Sequence, residues 1–194
     1  MALISVSGKI GSGKDTVGKI IQYLTAKDEV KEITTLEEWL DSHDLNGRDF
    51  NYKIKKFADS LKDIVCLLIG CTREQLEDRQ FKEKELGEEW WYWKPVEEDT
   101  GNLIPYKEST GTLPYNLIKL TPRLLLQLIG TECGRDIIHP NVWVNALMSK
   151  YKSGGFVSVS DNVEVLGNFP NWIITDTRFP NELQAVKDRE GITI

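Results

Sequence analysis

The sequence predicts an α/β fold with a mostly parallel sheet, and three observations support this. Short apolar segments suited to buried strands occur at residues 2–7, 53–58 and 172–175. Segments with helical spacing of apolar residues separate them, the clearest at residues 59–69. A glycine-rich turn joins the first strand to the first helix. Strands that alternate with helices in this way are typical of a parallel sheet covered by helices.

Length, charge and cysteine content indicate how many domains to expect and which classes of protein to exclude. The chain has 194 residues, of which 24 are Lys or Arg and 30 are Asp or Glu, so its net charge is −6. One domain spanning 1–194 is expected at this length, and an acidic chain is not held on nucleic acid by bulk charge. We expect neither a membrane-spanning helix nor a signal peptide, because the sequence has no apolar run of about 18 residues and no basic flank with a cleavage site. The three cysteines favour a reducing compartment.

Each predicted helix has an apolar face or a boundary signal. The helix at residues 15–24 carries Val17, Ile20, Ile21 and Leu24 on one face. Further helices are predicted at residues 34–42, 72–76, 122–138, 141–151 and 181–189. The predicted N-terminal signals are Thr72 with Gln75, Thr121 with Pro122, and Asn141.

Residues 90–114 interrupt this alternation. They contain three tryptophans, a turn-like stretch at 99–102 and three prolines. The pattern predicts a β-hairpin insert or a mobile flap, with an ordered loop that covers the core as the alternative. Another hairpin is predicted at residues 156–166 and a last strand at 192–194.

The strongest chemical signal is the segment GKIGSGKDT at residues 8–16, which fits the pattern G-x-x-x-x-G-K. Glycines let successive backbone N–H groups surround an anion, and the lysine reaches the β- and γ-phosphates. The segment lies between a predicted strand and helix, where this mechanism requires it. The phosphate-binding residues so predicted are Gly8, Gly11, Ser12, Gly13, Lys14, Asp15 and Thr16. The alternative is a glycine-rich turn with a solvated lysine.

Asp15 departs from the usual pattern, because that position commonly carries a hydroxyl that ligates Mg²⁺. Its carboxylate could bind the ion directly or through water, or Thr16 could serve instead. Asp176, at the carboxyl end of an apolar segment, is a second candidate for holding Mg²⁺, with a helix cap as the alternative. Arg178 follows in the same crevice, where a guanidinium can grip phosphate. Glu182 is either a partner of Arg178 or a solvated helix residue.

Polar residues on other segments are weaker candidates. Gln127, Thr131 and Arg135 share one helix face, which could contact a base and a phosphate or face water. Arg79 lies in a charge run that favours a solvated helix face over a ligand contact. Trp143 could stack on a base, and core packing is at least as good an interpretation.

Together these segments resemble the bacteriophage deoxynucleoside monophosphate kinases, a branch of the P-loop nucleotide kinases. The match rests on residues 7–16 with the unusual Asp15, on 126–135 followed by 142–144, and on Asp176 and Arg178 with Glu182. Residues 57–62 are similar to the segment that opens the family's monophosphate site. The match covers most of the chain outside about 90–114.

The resemblance implies a three-layer P-loop NTPase core with a helical monophosphate-binding part and a small β-hairpin insert. It implies ATP-dependent phosphorylation of a deoxynucleoside monophosphate to the diphosphate, with Mg²⁺, in the cytoplasm of a phage host. Lys14, Asp176 and Arg178 would be catalytic, and Asp15, Thr16 and Asp176 would place the metal. The acceptor would be bound by Ala58, Lys62, Arg79, Gln127, Thr131, Arg135, Trp143 and Glu182. A homodimer is compatible with the resemblance.

Two other functions are compatible with the same motifs. One is a P-loop kinase of another small phosphorylated acceptor, and the other is a nucleotide-binding module without transfer activity. The resembling family continues beyond the equivalent of Ile194 with a strand, basic residues and a helix. The chain is therefore expected to be short at its C-terminus.

Overall fold

The computed structural model describes residues 2–9, 11–26, 31, 35–41, 51–96, 102–108, 114–152 and 169–194. The hairpin predicted at 156–166 lies outside them. The chain divides into two compact units. We call Met1–Ser60 with Asn141–Ile194 the sheet unit and Leu61–Pro140 the second unit.

The predicted strands and helices that fall on described residues are present, together with a helix at Arg79–Glu83 and a strand at Tyr115–Lys119 that were not predicted. The first part contains β1 (Leu3–Ser7), α1 (Lys14–Leu24), α2 (Leu36–Asp41), β2 (Lys53–Lys55), α3 (Asp59–Ile69), α4 (Arg73–Glu77) and α5 (Arg79–Glu83). A 3₁₀ turn (Glu88–Trp90) precedes β3 (Trp91–Pro95), β4 (Ile104–Pro105) and β5 (Tyr115–Lys119). The remaining elements are α6 (Pro122–Gln127), a π-helix (Leu128–Ile138), α7 (Val142–Met148), β6 (Trp172–Thr177), α8 (Pro180–Lys187) and β7 (Ile192–Thr193).

The sheet unit is built on four parallel strands in the order β2-β6-β1-β7. Strand β6 pairs with β1 on one side and with β2 on the other, and Ile173 lies beside both Ile4 and Ile54. The predicted α/β fold with a mostly parallel sheet is therefore confirmed. Strand β2 is shorter than predicted, because residues 56–58 turn away from it.

Helices cover both faces of this sheet, as the alternation of side chains along β6 shows. Trp172 and Ile174 join a buried cluster with residues of α7 and α8, including Leu147 and Val186. Ile173 and Thr175 point to the opposite face, where α1 packs. The result is three layers, with the sheet in the middle.

The buried face of α1 differs from the one predicted. Lys14, Gly18 and Gln22 are the buried residues, whereas Leu24 is 63% exposed. Gly18 lies so close to β6 that an added Cβ would come within 3.0 Å of the Thr175 methyl group. Because the helix lies so close to the strand, its buried face consists of a small residue and of residues that form hydrogen bonds. Apolar spacing in the sequence does not identify such a face.

The second unit has its own core around Val65, Leu76 and Leu125. Helix α4 begins with the predicted capping box, in which Thr72 and Gln75 each accept from the other's backbone N–H group. Strands β4, β3 and β5 form an antiparallel sheet in that order. In the predicted insert at 90–114, the described residues include β3 and β4, and both belong to an antiparallel sheet whose third strand, β5, lies just after the predicted bounds. Its movement as a flap stays a prediction.

The helix predicted at 122–138 changes type halfway. It is α-helical through Gln127 and continues as a π-helix, which closes with an i→i+5 hydrogen bond from the His139 N–H to the Gly134 oxygen. Thr121 caps its start as predicted, by accepting from Leu124 N–H. Asn141 is the N-cap residue of α7, as predicted, but its side chain makes no capping hydrogen bond and accepts from Asn181 instead.

No helix in the described ranges is both long enough and apolar enough to cross a membrane.

Candidate active site

The glycine-rich loop follows β1 and ends where α1 begins. Gly11 and Gly13 have φ angles of 79° and 76°, the left-handed region that favours glycine. The Lys14 ammonium group donates to the carbonyl oxygens of Gly8 and Lys9, both at 2.8 Å. Since Lys14 is only 8% exposed, the alternative of a solvated lysine is wrong. The loop brings a cation and the N-terminus of an 11-residue helix together, an arrangement that suits a phosphate group.

Asp15 lies in the first turn of α1, and each of its carboxylate oxygens accepts a hydrogen bond. The Thr175 hydroxyl donates to Oδ1 at 2.6 Å, and the Lys56 ammonium donates to Oδ2 at 2.9 Å. Asp15 nevertheless keeps 63% of its side chain exposed. The neighbouring Thr16 is also exposed. Both residues are therefore accessible to a ligand at the loop.

Asp176 lies in β6, next to Thr175, and its carboxylate is held by two backbone groups. The Phe57 N–H donates to Oδ1 at 2.8 Å, and the Ala58 N–H donates to Oδ2 at 3.0 Å. The interpretation of Asp176 as a cap of the following helix is wrong, because the residue that precedes α8 is Phe179. Asp176 instead joins β6 to the turn between β2 and α3.

Burial raises the pKa of Asp176 above its ordinary value of 3.8. The Ala58 and Phe57 N–H groups act in the opposite direction, while the carboxylates of Glu182 and Asp59 raise the pKa further. A partly buried carboxylate beside other acidic groups attracts cations, so this charge distribution favours a positively charged ligand near Asp176.

Glu182 is buried at 2% exposure, which makes the interpretation of a solvated helix residue wrong. Its Oε2 accepts from the backbone N–H groups of Arg178 and Phe179, at 2.8 and 3.1 Å. The interaction with Arg178 thus involves the backbone, and it fixes the turn from which the Arg178 side chain projects. Arg178 itself is exposed.

The remaining predicted residues fall in both units. In the sheet unit, Ala58 is half-buried in the turn held by Asp176, and Trp143 is buried at 6% exposure. In the second unit, Lys62 forms an ion pair with Glu77. Arg79 is exposed at the start of α5. Gln127 and Thr131 are exposed and Arg135 is half-buried, while Gly130 and Gly134 are buried.

Two residues at the loop were missed by the sequence analysis. Lys56 and Thr175 are the partners of Asp15, and neither belongs to a recognisable motif. The one signal in the sequence that could have indicated a nearby lysine is the unusual Asp15. A carboxylate in a loop expected to bind phosphate needs a cation close by to offset its charge. Only the parallel pairing of β2 with β6 shows which lysine supplies it.

The donor set at the loop fits Mg²⁺. The described part of the chain holds no group of three or more His, Cys, Asp or Glu side chains that could ligate a metal by themselves. Mg²⁺ in nucleotide-dependent enzymes commonly binds one or two carboxylates together with substrate phosphates. Asp15 and Asp176 would supply two carboxylates to such an ion, and residues 56–58 contact both of them.

The fold and the loop define the class of this protein. A parallel sheet with helices on both faces carries, after its first strand, a glycine-rich loop with a buried lysine. An acidic residue lies in the adjacent strand β6. These are features of the P-loop core, as the sequence motifs predict.

The comparison with known proteins names a particular relative. No family model matches the chain. A protein of Escherichia phage T5 named deoxynucleoside-5'-monophosphate kinase is 26% identical over 210 residues, covering 96% of this chain and 72% of the relative. It confirms the predicted resemblance to the phage-type deoxynucleoside monophosphate kinases. It also confirms the predicted enzyme class, a nucleoside monophosphate kinase and hence a phosphotransferase.

Proposed function

We propose that the chain transfers the γ-phosphoryl group of ATP to a deoxynucleoside monophosphate, in line and with Mg²⁺, to give the diphosphate. The observation that carries the proposal is the buried Lys14 ammonium, bound to the carbonyls of the glycine-rich loop at the start of α1. The name of the T5 relative supports the choice of acceptor. The reaction would take place in the cytoplasm of a phage host.

In this proposal the donor phosphates lie on the loop amides, and Lys14 exchanges its bonds to Gly8 and Lys9 for bonds to phosphate oxygens. Asp15, Thr16 and Asp176 would hold Mg²⁺, which supplies neutralisation of phosphate charge. Arg178 would stabilise charge on the transferred group between donor and acceptor. Phosphoryl transfer has a loose transition state, so positioning and electrostatics suffice and no covalent intermediate is needed.

The acceptor would be bound by the residues that the resemblance implies. Ala58, Trp143 and Glu182 belong to the sheet unit, and Glu182 would act by fixing the turn at Arg178. The others implied are Lys62, Arg79, Gln127, Thr131 and Arg135. Exposed amide and hydroxyl groups at Gln127 and Thr131 suit hydrogen bonds to a base edge, and the cations suit a monophosphate.

The test is a coupled assay of diphosphate formation from ATP with each of the four common deoxynucleoside monophosphates and their ribose counterparts. We expect turnover with at least one deoxynucleotide. Lys14→Met should abolish it, because the side chain stays unbranched and nearly as long but loses its charge. Lys53→Met is the matched control, since Lys53 is an exposed lysine on β2. Full activity of the Lys14 variant would remove that residue from the mechanism.

Two results would replace this proposal by another function. ATP binding without turnover of any acceptor would indicate a nucleotide-binding module. Product from a phosphorylated compound that lacks a base, with none from nucleotides, would indicate a kinase of another small acceptor.

A further inference from the structure

The substitution of a carboxylate for the usual hydroxyl at position 15 has an electrostatic cost. A hydroxyl at this position is neutral, whereas Asp15 places a negative charge beside the site proposed for a polyphosphate. In the proposed function Mg²⁺ would offset this charge once it is bound, whereas in the ligand-free chain a cation of the protein must do so. The nearest counter-charge on Asp15 among the described contacts is the Lys56 ammonium, 2.9 Å from Oδ2.

Lys56 is itself held in place by carboxylates. Its backbone N–H donates to Asp59 Oδ2 at 3.0 Å. The next two N–H groups, of Phe57 and Ala58, donate to Asp176. Three successive backbone amides are thus fixed by side-chain oxygens, so the segment from which the Lys56 side chain extends is rigid. Only 26% of that side chain is exposed.

The geometry of Asp15 follows from two fixed donors, one on β6 and one directly after the neighbouring strand β2. Thr175 belongs to β6 and is 1% exposed, and Lys56 directly follows β2, which pairs with β6. A carboxylate that is 63% exposed would otherwise sample several rotamers. Donors on both oxygens select one orientation before any ligand arrives, which lowers the ordering cost of binding.

We propose that Lys56 is a positioning residue for the phosphate-binding loop: its ammonium group neutralises and orients the Asp15 carboxylate beside the donor phosphates. This inference rests on the proposed function for its effect on turnover. It concerns the donor side of the reaction, so the acceptor should bind equally well without Lys56.

The experiment compares Lys56→Met, Lys56→Gln and Lys56→Arg with the control Lys53→Met, each alone and with Asp15→Asn. Neutral variants at 56 should lower kcat/KM for ATP about tenfold, the usual scale for residues that support a metal-placing group, with KM for the acceptor unchanged. Lys56→Arg should restore most of the activity, and Lys53→Met should retain all of it. In the Asp15→Asn background, Lys56→Met should lower kcat/KM for ATP less than about twofold, because the carboxylate through which Lys56 acts is absent.

A second measurement separates this inference from the proposed function. Calorimetric titration with ADP and Mg²⁺ should show that Lys56→Met lowers the affinity for ADP about tenfold. The loss of affinity should again be much smaller when Asp15 is replaced by Asn. If the wild-type chain binds ADP with Mg²⁺ but converts no acceptor, the proposed function fails and the coupling still decides the role of Lys56. If Lys56→Met lowered the ADP affinity equally with and without Asp15→Asn, the inference would be overturned, because Lys56 would then contact phosphate directly. Loss of no more than the Lys53 control would overturn it as well.

Discussion

Replacing Gly18 by alanine is expected to destabilise the sheet unit at the contact between α1 and β6. The added Cβ would come within 3.0 Å of the Thr175 Cγ2 atom, and within 3.6 Å of Ile173 Cγ2 and 3.8 Å of Ile54 Cδ1. Thr175 cannot rotate its methyl group away without moving its hydroxyl, which donates to Asp15 at 2.6 Å. Relief therefore requires a shift of the helix or loss of that hydrogen bond.

The expected change in the free energy of unfolding combines a cost and a gain. Overpacking a buried contact costs about 1–3 kcal/mol, while exchanging glycine for alanine inside a helix gains about 1 kcal/mol. Because the neighbouring atoms belong to a central strand, we place the overpacking cost near its upper end, for a net loss of about 2 kcal/mol. For a chain of this size that loss lowers Tm by about 4–8 °C.

Urea unfolding of wild-type and Gly18→Ala proteins measures this loss, provided that the slope m is unchanged. The control is Thr175→Ser, which removes the opposing methyl group and keeps the hydroxyl. The double variant should be about 1 kcal/mol more stable than the sum of the single changes predicts, because the new Cβ fills the vacated space. A Gly18→Ala protein as stable as wild type would refute the argument that β6 requires glycine at this position.

Three further predictions concern the same scaffold. Glu182→Ala should lower the free energy of unfolding by about 2 kcal/mol, since two N–H groups at Arg178 and Phe179 lose their acceptor. Burial raises the pKa of Asp176, so its contribution to stability falls as pH rises from its ordinary value of 3.8 through the raised pKa. The deficit of Asp176→Asn relative to wild type, measured by urea unfolding, should therefore shrink with rising pH, and a growing deficit would contradict the pKa shift. Thr72→Ala should cost about 1 kcal/mol in thermal unfolding through loss of the capping box, and an unchanged Tm would show that the box contributes nothing.

Local signals predicted elements well where apolar periodicity and a boundary residue agreed. Helix α3 spans residues 59–69, as predicted, because its apolar spacing ends at Gly70, which has a φ of 66°. The capping box at Thr72 is likewise a contact within four residues. Contacts of this kind depend on the chain's immediate neighbours and are therefore visible in a single sequence.

The errors arise where a distant partner replaces the local one. Asn141 has the residue type of a helix cap, yet its side chain bonds to Asn181, 40 residues away. Of the two interpretations of Glu182, the solvated helix residue is wrong, because its buried carboxylate accepts from the N–H groups of the turn before α8. The buried face of α1 was misassigned because the helix packs on the sheet through Gly18, at a distance too short for a larger side chain.

The sequence by itself determined the parallel α/β class, the position of the glycine-rich loop and the resemblance to phage deoxynucleoside monophosphate kinases. These follow from residue types at short, regular spacings, which carry hydrophobic periodicity and backbone requirements such as the positive φ of Gly11 and Gly13. Only the tertiary structure decided the environment of the acidic residues. Asp15 meets Thr175 160 residues along the chain, and Asp176 meets Phe57 119 residues away. Side-chain electrostatics depend on distance in space, and here β-strand pairing sets that distance independently of separation in sequence.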